Sequence, residues 1–210
     1  SRKIAEALSW KFSDDPTLDI RIYLDGQEFV DESEHAQQQK RRSECLISAG
    51  ESEARRRRCN DRGFMYSYGL SQQGIDLRFK YYAYHWHYSY APQMHHKYIL
   101  IDDQELWTGS YNLSDNSEHQ SFENVLHFWG ESFSPLVTSF IDNFEAIWSR
   151  GEDEGRFDDL IDDIESADDI KLVFEPISLA HKQVEMVKEG IYERCPEVES
   201  EPFSNQRKTH

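Results

Sequence analysis

The sequence predicts an α/β fold followed by an acidic C-terminal appendage, and three observations lead there. Short runs that alternate apolar and polar residues interleave with stretches of helical periodicity. Turn signals separate them, and acidic charge is concentrated in residues 151–210. Two hundred and ten residues at 24.8 kDa fit one domain of ordinary size plus a tail. Apolar residues at 38% and charged residues at 30% make a globular composition rather than a disordered or collagenous one. No apolar run is long enough to cross a bilayer.

The first element is a helix, IAEALSWKF, and the chain is already inside it without an initial Met. It reads as the remainder of something longer, either a protein whose targeting peptide and preceding domain were removed or a fragment. LDIRIYLDG follows, with Leu18, Ile20, Ile22 and Leu24 in the period-2 pattern of a half-buried strand that ends in a turn at Asp25-Gly26. Residues 27–62 are polar, then Arg-rich, and read as an inserted helical excursion. GIDLRFKYYAY alternates again as a strand and runs into the aromatic stretch Tyr81 to Tyr90, which Pro92 breaks.

MHHKYILID and QELWTGSYNL form two further strands with a turn at Asp103-Gln104, and SFENVLHFW another. In residues 135–149, Leu136, Phe140, Phe144, Ile147 and Trp148 share a helical face, with Pro135 suited to the first turn and Gly151 past the end. The main domain therefore closes near residue 150. Residues 151–210, dense in Asp and Glu, form a partly ordered tail.

The net charge of −17 excludes a strongly basic polyanion binder, but it is unevenly spread. Residues 151–210 hold 17 acidic and 7 basic side chains, and residues 1–150 hold 23 and 16. Lys40-Arg41-Arg42 and Arg55 to Arg58 leave room for a local positive face, although an arginine run is more often a solvated helix surface.

Cys45, Cys59 and Cys195 lack the paired short spacing of a zinc site. Cys45 and Cys59 either close a loop, worth roughly 3 kcal/mol in the chain-entropy model, or stay as free thiols on the helical excursion. The compartment is open; an exported or periplasmic location follows if they pair.

Residues 95 to 112 read HHKYILIDDQELWTGSYN. On an extended strand His95 and Lys97 project together, while His96 and Tyr98 point the other way. Asp102 is an odd number of residues from Lys97 and is expected to be structural rather than reacting. Ser110 and Asn112 share a face on the next strand end, and Gly109 allows close backbone approach. One imidazole, one ammonium, one hydroxyl and one carboxamide then converge, which suits a phosphate diester. Lys97, Ser110 and Asn112 cradle its oxygens, and the imidazole attacks phosphorus or protonates a leaving oxygen. No metal-spaced cluster sits alongside, so chemistry without metal or other cofactor is expected.

These residues match H-x-K-x(4)-D-x(6)-G-S-x-N, the signature of the phospholipase D superfamily, which the chain resembles over about residues 1–150. The resemblance implies a mixed β-sheet flanked by helices and a two-step reaction through a phosphohistidine. It also implies that Glu123 orients the catalytic imidazole. Such proteins build an active site from two motifs, whereas this sequence contains one H-x-K and so supplies half a site. The resemblance therefore implies a homodimer, or a second motif in a missing N-terminal half.

The expected substrate is a phosphodiester, a phospholipid headgroup first and a nucleic acid as the alternative. A non-catalytic phosphate-binding or assembly module is the reading from another class. Tyr84, Trp86 and Tyr88 either wall the substrate groove or pack beneath the helical excursion.

Overall fold

The computed structural model describes residues 1–61, 64–81, 94–114, 117, 118, 120–166 and 176–194. In chain order the elements are α1 (Arg2–Asp14), β1 (Arg21–Asp25), α2 (Glu32–Ala49), α3 (Glu53–Asp61), α4 (Ser67–Gln72) and β2 (Asp76–Tyr81). Then follow β3 (Tyr98–Ile101), β4 (Glu105–Gly109), β5 (Val125–Trp129), α5 (Ser134–Trp148), α6 (Arg156–Ser166), β6 (Ile177–Ala180) and α7 (His181–Arg194). The class is mixed α/β, with two small three-stranded sheets among the described residues. These residues form two compact units: Ser1–Ile20, Val30–Ile75 and His95–Glu145 make one, and Arg21–Phe29, Asp76–Met94 and Ala146–His210 the other.

In the first unit, α2 starts where Asp31 accepts the Glu34 amide at 2.8 Å and Glu34 accepts the Asp31 amide at 3.2 Å. This reciprocal pair is a capping box, worth about 1 kcal/mol. α2 and α3 form a helical hairpin across which Cys45 and Cys59 are disulfide-bonded, with Cα atoms 5.6 Å apart. Arg42 Nε donates to Asn60 Oδ1 across the same hairpin at 3.0 Å, and its guanidinium lies over the Phe64 ring. The residues read as a helical excursion are thus a stapled pair of helices.

β3, β4 and β5 form an antiparallel meander, with Ile99 opposite Trp107 and Trp107 opposite His127. The sequence places the first turn at Asp103-Gln104; the structure places its centre one residue earlier. Asp102 and Asp103 both have positive φ, 52° and 55°, and the Gln104 amide donates to the Ile101 carbonyl. Two left-handed central residues match the right-handed twist of the strands, and Asp tolerates that region better than most side chains. On one face, Leu106 is fully buried and Tyr98 meets Phe140 of α5 edge-on at 5.1 Å. The other face carries Ile99, Ile101, Trp107, Val125 and Trp129, all exposed.

Along α5 the buried stripe is displaced from the expected one. Leu136 is 36% exposed, whereas its neighbour Val137 is 2% exposed. One position is 100° of helix, so Val137, Phe140 and Phe144 define the inward stripe and Leu136 falls at its margin.

In the second unit β1 pairs parallel with β2, and β6 pairs antiparallel along the other side of β2. Leu77, Phe79, Ile177 and Leu179 are buried in this sheet together with Val184 and Val187 of α7. Phe29 packs edge-on against Phe79 at 5.5 Å and lies 4.6 Å from the His181 ring. α6 buries Leu160 and Ile164 while its Asp158, Asp159, Asp162 and Asp163 stay exposed. Its contact with α7 is close at Gly190, where a Cβ would lie 2.9 Å from Ile164 Cγ2. The described part of the acidic appendage therefore supplies two helices and a strand.

Candidate active site

The site is assembled where β4 ends. Lys97 lies one residue before β3, and its carbonyl accepts from Thr108 Oγ1 at 2.9 Å and from the Gly109 amide at 3.4 Å, which fixes the entry to the strand. A Cβ on Gly109 would sit 1.9 Å from the Asn124 carbonyl oxygen. Only glycine allows this crossing of two backbone segments. The Ser110 amide then donates to the same Asn124 carbonyl at 3.0 Å.

Ser110 Oγ accepts the Asn124 amide at 2.9 Å and donates to Glu123 Oε2 at 2.5 Å. Ser121 Oγ donates to the other Glu123 oxygen at 2.8 Å. These two hydroxyls, Ser110 first and with the Lys97 charge a smaller contributor, hold the Glu123 carboxyl below the usual carboxylate range. Partial burial lowers the Lys97 ammonium below an ordinary lysine, and the Glu123 charge opposes that shift. Lys97 Nζ donates to the His95 carbonyl at 2.6 Å.

The imidazole of His95 is exposed and makes no hydrogen bond or ring contact among the described residues. His96 is exposed with its ring 5.9 Å from that of Tyr98, whose hydroxyl donates to Asn143 and whose phenol is pushed up to about 12 by burial. Asn112 is exposed, and its carboxamide likewise makes no bond among the described residues. Its backbone amide donates to Ser117 Oγ at 3.3 Å.

Lys97, Ser110 and Glu123 are thus brought together, with His95 linked to them through its carbonyl. Asp102 is not among them. It caps the far end of the β3–β4 hairpin, five residues from Lys97 and so roughly 16 Å along an extended chain. Ser110 and Asn112 are not on a strand, because β4 stops at Gly109, and the Ser110 proton is committed to Glu123 rather than open to an added phosphate. Tyr84, Trp86 and Tyr88 lie outside the described residues.

Two features escape the sequence. Ser121 completes the grip on Glu123, and the only trace of it is a serine two residues before a glutamate. On the exposed sheet face His127 is stacked between Trp107, at 3.8 Å, and Trp129, at 4.4 Å, with its Nε2 2.8 Å from Glu105. These rings stand on alternate positions of adjacent strands, so only the register reveals the stack. A cavity of about 270 Å³ in the second unit, lined by Ser149, Arg150, Asp153 and Glu154 among others, includes none of the motif residues.

The family model described as "Cardiolipin synthase, PLD-like domain" matches residues 15–148. The chain belongs to this phospholipase D-like family. Among solved structures it is similar to a phospholipase D family member, Nuc from Salmonella typhimurium, at 19% identity over 70% of this chain and 69% of that one, with a TM-score of 0.42. No curated protein matches the sequence.

Proposed function

We propose that the protein is a phosphodiesterase that hydrolyses a phospholipid headgroup through a phosphohistidine. The observation that carries this is an exposed His95, its imidazole free of hydrogen bonds among the described residues and its carbonyl holding Lys97, together with the Lys97–Glu123–Ser110 cluster, within an intact H-x-K-x(4)-D-x(6)-G-S-x-N motif. His95 attacks phosphorus as the bond to the leaving alkoxide breaks. An imidazole from a second motif protonates that oxygen and then takes a proton from the water that cleaves the N–P bond.

Lys97 and Asn112 donate to the non-bridging oxygens, where charge accumulates in the five-coordinate transition state. Ser110 acts on the carboxylate: with Ser121 it keeps Glu123 ionised and aimed. The second motif comes from an identical subunit. The exposed face of β3–β5, apolar and continuous with the strand that Lys97 enters, suits the seat of that copy.

Pure protein assayed on phosphatidylcholine, cardiolipin and single-stranded DNA is expected to cleave lipid first. His95→Ala should lower that rate by about a thousandfold or more. An unchanged rate removes His95 from the mechanism, and cleavage of DNA alone makes the protein a nuclease.

A further inference from the structure

The Asn112 carboxamide is exposed and makes no bond among the described residues, so the placement of its backbone decides where that donor can point. The next residue, Leu113, has φ of 57°, in the left-handed region that a leucine enters only at a cost. A chain persists there only when its surroundings over-determine it.

Those surroundings come from Ser114, Ser117 and Glu118. Ser117 is 5% exposed, and its Oγ accepts the Asn112 amide at 3.3 Å. Ser114 ties Ser117 twice: its Oγ accepts the Ser117 amide and donates to Ser117 Oγ, each at 3.1 Å. The Ser114 carbonyl accepts the Glu118 amide at 3.0 Å. Glu118 in turn accepts the Tyr111 hydroxyl at 2.6 Å and Lys3 Nζ of α1 at 3.0 Å. Tyr111 and Asn112, on one side of Leu113, are thus bonded to Glu118 and Ser117 on the other.

A buried hydroxyl is costly unless its bonds are made, and an alanine would fill the same place without that cost. Ser117 Oγ spends both lone pairs, on the Ser114 hydroxyl and the Asn112 amide, and keeps its own proton to donate. The hydroxyls of Ser110 and Ser121 do most to lower the Glu123 pKa, and that of Ser117 adds a smaller share while burial opposes them. One hydroxyl therefore bears on both Asn112 and Glu123.

We propose that Ser117 is a positioning residue: with Ser114 it sets the Asn112 backbone so that the carboxamide meets the non-bridging oxygens of a phosphodiester in the transition state. This deepens the phosphodiesterase reading, on which the role of Asn112 rests. Ser117 itself is too buried to touch substrate.

The test is a double-mutant cycle in the full-length protein, read on a soluble diester, bis(p-nitrophenyl) phosphate, over Ser117→Ala, Asn112→Ala and the two combined. Ser117→Ala should lower kcat about tenfold with KM within about twofold of wild type, because the weakened contact belongs to the transition state. In the Asn112→Ala background the same change should cost less than about twofold. A packing defect would lower both backgrounds alike. The cycle is repeated on affinity for inorganic vanadate, which becomes five-coordinate when a nucleophile adds to it, followed by vanadium-51 NMR.

A melting temperature within a few degrees of wild type shows that the variants are folded. Ser114→Ala removes both bonds to Ser117 and leaves its hydroxyl; it should give the same non-additive loss at about threefold, and it decides alone if Ser117→Ala does not fold. Wild-type kcat in folded Ser117→Ala, or in Ser114→Ala where that variant decides, overturns the proposal. So do losses that multiply across the cycle, and so does a wild-type protein that neither turns over the diester nor binds vanadate. Vanadate binding that shows the coupling without any turnover leaves Ser117 in its role and sinks the phosphodiesterase reading alone.

Discussion

Gly109 shows how a motif letter can be a steric requirement. A methyl group there would overlap the Asn124 carbonyl at 1.9 Å, and the neighbour is backbone that cannot rotate away. Gly109→Ala should therefore cost about 3 kcal/mol in urea unfolding, at the upper end of overpacking penalties. Glu123 and Lys97 bias each other's protons. Lys97 holds its proton below its depressed pKa and loses it as pH rises through that value; Glu123 pulls the value upward. In Glu123→Gln the alkaline limb of kcat/KM is thus expected to move to lower pH. Ser110→Ala removes the largest cause of the lowered Glu123 pKa, so the carboxyl should titrate at higher pH in carbon-13 NMR spectra. A Glu123 titration that does not move shows that Ser110 has no hold on it. His95, Lys97 and Asn112 stand out as candidates from spacing and chemical type, and the structure shows a side-chain contact for Lys97 alone of the three. The duty of Ser110 was not legible in the sequence, since a hydroxyl beside a phosphate-like site and a hydroxyl gripping a carboxylate have the same spelling.

Among the elements, the strands and the helices at both ends of the motif-bearing region were readable because their periodicity is carried by large apolar side chains. The turn at Asp102–Asp103 was not, since it lacks the Asn-Gly or Asp-Gly that ordinarily announces two left-handed residues. Replacing Asp103 with Gly should stabilise the hairpin by up to about 1 kcal/mol, read as a higher urea midpoint, because glycine accepts φ near 55° without strain. The α2–α3 hairpin has weak apolar periodicity and depends on its covalent link. Reduction, or Cys45→Ser with Cys59→Ser, should cost about 3 kcal/mol, and a midpoint that does not shift would mean the thiols contribute nothing to folding.

For the molecule as a whole, a chain with one motif and an open apolar sheet face should be dimeric, with a solution mass near twice 24.8 kDa. Trp129, 61% exposed at the edge strand β5, is the lever: Trp129→Arg should yield monomers whose specific activity falls together with their association on dilution. Full activity in a strict monomer removes the shared-site proposal. The composition of residues 151–194 announced acidity but not architecture. Ile177 and Leu179 are two apolar positions in a four-residue strand, too short for any periodicity to register.

That small strand has a practical consequence. β6 lies against β2, the central strand of its sheet. Anyone trimming the gene after residue 150 to isolate the motif would unzip this ladder and leave a row of bare amides and carbonyls, with Phe79 and Leu77 stripped of their cover. Such a truncation should emerge from expression as inclusion bodies, and the shortest piece worth purifying ends beyond Arg194.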